Sequence, residues 1–126
     1  MFVIRDAQMA AFQEARDDDF IRWMVVRLRD VCSSATAHLD DSEMRRRVKI
    51  GLSRSRAYRL NTPSAHAEFI TLMFRFTPAF DREPRVRAVL DDPVRTPESM
   101  LHMIPGLLTK DEWEILIRNA RGDEWK

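Results

Sequence analysis

Thr62-Pro63-Ser64-Ala65-His66-Ala67-Glu68-Phe69-Ile70-Thr71-Leu72-Met73-Phe74-Arg75-Phe76 opens with a helix start and runs on with apolar residues on nearly every side. A threonine hydroxyl can accept from the free N–H groups of a first turn, and proline suits the first helical position because its missing donor has no partner there anyway. Ala65, Phe69, Ile70, Leu72, Met73, Phe74 and Phe76 leave only a narrow polar stripe. The segment therefore reads as a central helix over residues 63–76, buried on several sides. Pro78 ends it, and Phe80 is expected to tuck the following loop onto the core.

Two more helix starts lie downstream, Thr96-Pro97 and Thr109-Lys110-Asp111-Glu112, the second able to form a reciprocal capping box. They predict helices over 98–104 and 110–120, with Trp113, Leu116 and Ile117 inward and Gly122 as a C-terminal stop. A short helix is expected over 85–90, between Pro84 and Pro93. Upstream, Met9, Phe12, Ala15, Phe20, Trp23, Met24, Leu28 and Val31 form a stripe over 6–31. This is one long helix, or two broken at Asp17-Asp18-Asp19, since aspartate is a poor interior helix residue and a good cap. Ser33 to Leu39 reads as a polar connection. Asp40 to Glu43 then caps a helix over 42–58 whose inner face carries Met44, Val48, Leu52, Ser55 and Tyr58. Gly51 and Ser55 are small enough there for a neighbouring backbone to come close.

With 126 residues, 44% of them hydrophobic, and only three glycines, the chain suits one domain, residues 1–126. No segment alternates apolar and polar residues as a half-buried strand does. The expected fold class is all-α, a single compact bundle of about five to six helices around the central apolar helix at 63–76.

The net charge of +1 provides no global attraction to nucleic acid or acidic lipid. A lone Cys32 cannot form an internal disulfide. Met1-Phe2-Val3-Ile4 runs straight into Arg5-Asp6, unlike a signal peptide, and the greasiest stretch, Phe69 to Phe80, is interrupted and too short to span a bilayer. A cytoplasmic protein with no membrane association is expected.

His38, His66 and His102 are the natural candidates for general bases or metal ligands, but none has a partner at ligand spacing. The acid runs Asp17 to Asp19 and Asp91-Asp92 lack the alternation of a calcium loop, and no glycine-rich stretch matches a phosphate cradle. The expectation is no catalytic residue, no metal, no cofactor and no small-molecule substrate, hence no enzyme.

Charge is segregated. Between Ser42 and Leu60 stand seven basic residues against Glu43 alone, whereas between Asp6 and Asp19 five acids face Arg16. Arg45, Arg46, Lys49, Arg54, Arg56 and Arg59 make a candidate basic face for a protein partner. The same residues can instead pair with the acidic first helix or simply be solvated. Nucleic acid is disfavoured, because Arg45 to Arg47 point in three directions on a helix and cannot share a groove. Trp23 and Trp113 fall in apolar stripes and are expected in the core. Trp125 has no obvious slot, so it is either an exposed terminal anchor for a partner or folds back onto the domain.

Four segments, Ile4-Arg5-Asp6-Ala7-Gln8-Met9-Ala10-Ala11-Phe12, Ser55-Arg56-Ala57-Tyr58-Arg59-Leu60, Phe69-Ile70-Thr71-Leu72-Met73-Phe74 and Pro78-Ala79-Phe80-Asp81, carry a resemblance. In that order, over residues 3–92, they resemble a family of small helical proteobacterial proteins often encoded beside spike, PAAR-repeat or toxin genes of type VI secretion systems. The family tends to have glycine after the tyrosine, where this chain has Arg59, and before the proline, where it has Thr77. Gln8, Tyr58 and Asp81 match family-type positions and read as helix-end or inter-helix contacts. The resemblance implies an adaptor or chaperone-like accessory protein whose partner is a secreted effector or spike component. An immunity protein against a cytoplasm-acting toxin is the alternative, and a nucleic-acid-binding helical domain a weaker one.

Overall fold

A computed structural model describes residues 2–120 and Trp125, with side chains from Ala15 onward. Among the described residues the chain is all-α with no strand. The elements are α1 (Phe2–Val31), α2 (Ser33–Thr36), α3 (Asp41–Ala57), α4 (Pro63–Arg75), a 3-10 turn (Phe80–Arg82), α5 (Pro84–Leu90), α6 (Pro97–Met103), a second 3-10 turn (Ile104–Gly106) and α7 (Lys110–Arg118). Among the described residues no helix is long and apolar enough to cross a membrane. The side chains of Gln8, Met9 and Phe12 and the expected stop at Gly122 lie outside the described residues.

The helix starts form as local chemistry dictates. Thr62 Oγ1 accepts from Ala65 N–H at 3.2 Å, Thr96 Oγ1 from Ser99 N–H at 3.3 Å, and Thr109 and Glu112 exchange both bonds of a capping box. Asp40 caps α3 through Glu43 N–H at 2.8 Å, and Glu83, not foreseen as a cap, holds the Arg85 and Val86 amides ahead of Pro84–Leu90. The aspartate run does not interrupt α1. Asp17 meets Arg56 of α3, and Asp18 and Asp19 are exposed to solvent.

Two tertiary pairs run in opposite directions, Arg29–Asp41 and Asp17–Arg56, so α1 and α3 lie antiparallel. Ile21, Met24, Val25 and Leu28 of α1 face Met44, Val48, Leu52 and the buried side of α4. Gly51 sits where α3 and α4 touch: an added Cβ would lie 2.8 Å from Ile70 Cγ1 and 3.2 Å from Met73 Sδ. Eight residues of α4 are buried, among them Phe69, Ile70 and Met73. The α3–α4 turn passes through Arg59 at φ 64°, the left-handed region, so the chain makes with arginine a turn for which glycine is the default.

The tryptophans partly reverse expectation. Trp113 is in the core, stacked on Phe76 with ring centroids 3.9 Å apart, and its Nε1–H donates to Pro105 O. Trp23 is 51% exposed, because the inward stripe of α1 passes through Ile21, Met24 and Leu28 and leaves it on the flank beside Phe20 and Arg27. Trp125 is only 6% exposed. Its ring lies 4.8 Å from that of Phe74 with Arg47 over it, so it folds back and is not an exposed anchor. Ile117, expected inward, is exposed on α7.

Candidate functional site

The seven basic residues of α3 and the following turn separate into two groups. One is engaged within the fold. Arg46 donates twice to the Glu43 carboxylate and once to Trp125 O, at 2.6 Å, and Arg47 Nε donates to Glu43 at 2.9 Å. The bonds from Arg46 and then Arg47 pull the Glu43 carboxyl down to about 2. Arg54 reaches Pro78 O and the buried Asp81. Arg56 grips both oxygens of Asp17, at 2.6 and 3.1 Å. The second group, Arg45, Lys49 and Arg59, is exposed, and its side chains make no hydrogen bond or ion pair among the described residues.

Arg45 borders an open groove of about 540 Å³ between α1 and α3. Ile21, Val25 and Val26 line it on the apolar side, and Arg22 joins Arg45 on the polar side with Asp18 at one end. Val26 is 69% exposed, which for a valine amid cations is an unsatisfied apolar surface. Arg29 closes the groove's other end by tying Thr36 O, Leu39 O and Asp41 together. Arg22 and Arg29 stand outside the apolar stripe of α1 in the sequence; only the four-residue spacings from Arg22 to Val26 and from Val25 to Arg29 hint that they flank a groove.

Arg59 borders a different cavity, of about 570 Å³, with Arg56, Leu60, Asn61 and His66. Asn61 was not foreseen; its place directly before a Thr-Pro helix start is the only local signal for it. His66 is buried, and its Nδ1 lies 2.6 Å from Ser55 Oγ. The Ser55 hydroxyl donates to Leu52 O at 2.9 Å, so its single proton is engaged there and His66 Nδ1–H is the donor of the pair. Burial first, then the Arg56 charge, lowers the His66 pKa, while Asp17 opposes them. A serine beside a histidine suggests a nucleophile and its base, but Ser55 is fully buried and no reacting atom can approach its oxygen.

The other imidazoles are elsewhere. His102 is on the surface 3.4 Å from Glu68, and His38 is exposed in the connection before α3. His66 and His102 border different cavities. Among the described residues no three His, Cys, Asp or Glu side chains gather as a metal-holding group. Cys32 is partly buried, and that burial raises its pKa against the opposing charge of Arg75. Tyr58 and Asp81 do meet: the phenol donates to Asp81 Oδ2, and burial followed by that carboxylate pushes the phenol up to about 12.

Comparison with protein-family models, curated proteins and solved structures finds no match for this chain.

Proposed function

We propose that this chain is a non-enzymatic protein-binding module of the cytoplasm, an adaptor or chaperone-like accessory in a type VI secretion effector or spike cluster. A compact bundle organised round α4 serves as its scaffold. The groove between α1 and α3 takes an amphipathic segment of the partner that carries acidic residues beside an apolar stripe. The exposure of Val26 between the uncommitted cations Arg22 and Arg45 is the observation that supports this reading. Lys49, one turn beyond Arg45 on α3, extends the same positive edge. An apolar strip with cations on its rim favours a partner by area and selects it by charge.

The test is co-purification with the products of neighbouring genes, comparing the wild-type chain with Val26→Glu/Arg45→Glu. Both positions are exposed, so the double variant should keep its helical circular dichroism while losing about tenfold or more in affinity. Equal affinity in the variant, or no neighbouring product retained at about micromolar protein, a common affinity range, counts against the proposal. Rescue of growth on co-expression with a toxin from the cluster would instead assign an immunity role.

A further inference from the structure

We propose that the cavity at the α3–α4 junction binds a phosphoryl group, either free phosphate or the monoester end of a small organic molecule. This site is separate from the groove and stands without the protein-binding reading. Of the residues bordering it, Arg56, Arg59, Asn61 and His66 carry polar nitrogen, Leu60 is the apolar member, and no carboxylate is among them. A phosphomonoester presents close to two negative charges and three acceptor oxygens near neutral pH. Guanidinium forks meet such a group in a bidentate way that a scattered set of lysines does not.

The cavity is also prepared from behind. Asp17 holds the two terminal nitrogens of Arg56, which fixes the guanidinium plane and leaves its Nε–H and outer N–H groups for another acceptor. Because Asp17 offsets that charge, the uncommitted cations decide the sign of the site. They are Arg59 in the cavity and Arg16 in an adjoining one of about 230 Å³, which shares Arg56, Asn61 and His66 as a common wall. His66 is 7% exposed, and with Nδ1–H committed to Ser55 its Nε2 is the ring nitrogen left for these cavities. In the neutral ring Nε2 accepts, so it can take the remaining O–H of a singly protonated phosphate. α4 opens at Pro63, which borders the adjoining cavity, so the positive end of a helix lies nearby. The depression is open to solvent, and its volume of about 570 Å³ leaves room for a phosphoryl group and for whatever it is attached to.

The experiment titrates inorganic phosphate, and separately ribose 5-phosphate, into isotope-labelled protein at constant ionic strength, following the His66 ring and the arginine side chains by NMR. Saturable shifts at His66 and Arg59 are expected. Tighter binding of ribose 5-phosphate assigns the site to a monoester, and tighter binding of phosphate assigns it to the free ion. Arg59→Gly should weaken binding about tenfold or more, because it removes a charged donor at a backbone position that glycine accepts without strain. Asn61→Asp, at an exposed residue, should do the same by adding a negative charge. Shifts indistinguishable from those caused by chloride, or unaltered binding by both variants, overturn the proposal.

Discussion

The Tyr58 hydroxyl donates to Asp81 Oδ2 across 2.6 Å, joining the end of α3 to the 3-10 turn that follows α4. Arg54 holds the other oxygen of the same carboxylate, and Arg87 of α5 lies over the tyrosine ring, 5.3 Å from its centroid. One buried acid thus ties the end of α3 to the 3-10 turn, and α5 joins them through the tyrosine ring. Tyr58→Phe should cost about 1–2 kcal/mol and Asp81→Ala about 2–4 kcal/mol, the second discounted because Arg54 is partly solvated and can recover water. Urea unfolding measures both. An Asp81→Ala loss below about 0.5 kcal/mol, the range of a surface change, would show that the acid does not tie the segments together.

Arg59→Gly should raise stability. An L-residue in the left-handed region costs about 1–2 kcal/mol, partly offset by the greater freedom glycine gives the unfolded chain, so a net gain of about 0.5–1 kcal/mol is expected. A melting temperature unchanged or lowered would mean that the arginine side chain is held by contacts that outweigh the backbone.

Gly51→Ala should act in the opposite direction. Alanine gains about 1 kcal/mol of helix propensity over glycine. Its methyl, however, would meet Ile70 Cγ1 at 2.8 Å, on a stiff β-branched side chain that is fully buried. Forcing the two helices apart should leave a net loss of about 1–2 kcal/mol, read by the midpoint of denaturant unfolding. A more stable variant would show that α3 and α4 can separate freely.

Stability should fall on mild acidification through His66. Its folded pKa lies below the ordinary 6.5, so as pH drops under that value the unfolded chain takes up the proton more readily than the folded one. The charged groups that border the same cavities as the ring are Arg16 and Asp17 from α1, Arg56 from α3 and Arg59 from the turn after it, and protonation sets a further cation beside Arg56. Denaturation at a series of pH values should show this contribution absent above about 6.5 and growing more destabilising below it. His66→Gln should remove that part of the slope. An identical slope in the variant would exclude His66 as its source.

What the sequence made legible was local. Thr62, Thr96 and Thr109 declare their helices within three residues of themselves, and Pro63 and Pro97 mark the first turns, so the all-α class and the starts at 63, 97 and 110 could be read directly. The continuity of α1 through Asp17 was not, because the partner of that acid is 39 residues away in Arg56. The basic face shows the same divide. Arg45, Lys49 and Arg59 are open as a count of charges suggests, whereas Arg54 and Arg46 are tied to Asp81 and to Trp125 O, partners 27 and 79 positions away. Trp23 left the core expected for it, and of the two readings for Trp125 the docked one is found, for a related reason. Periodicity ranks faces of one helix and says little about a terminal residue that docks onto another.

The indole of Trp125 rests on Phe74, a residue 51 positions ahead of it in the chain. At a synthesis rate of about 5–20 residues per second, the end of α4 therefore waits roughly 3–10 s on the ribosome before its cover exists. Through that interval the faces of α4 turned to α1 and α3 already have their partners, and the Phe74 ring alone waits for the indole that hides it in the finished protein.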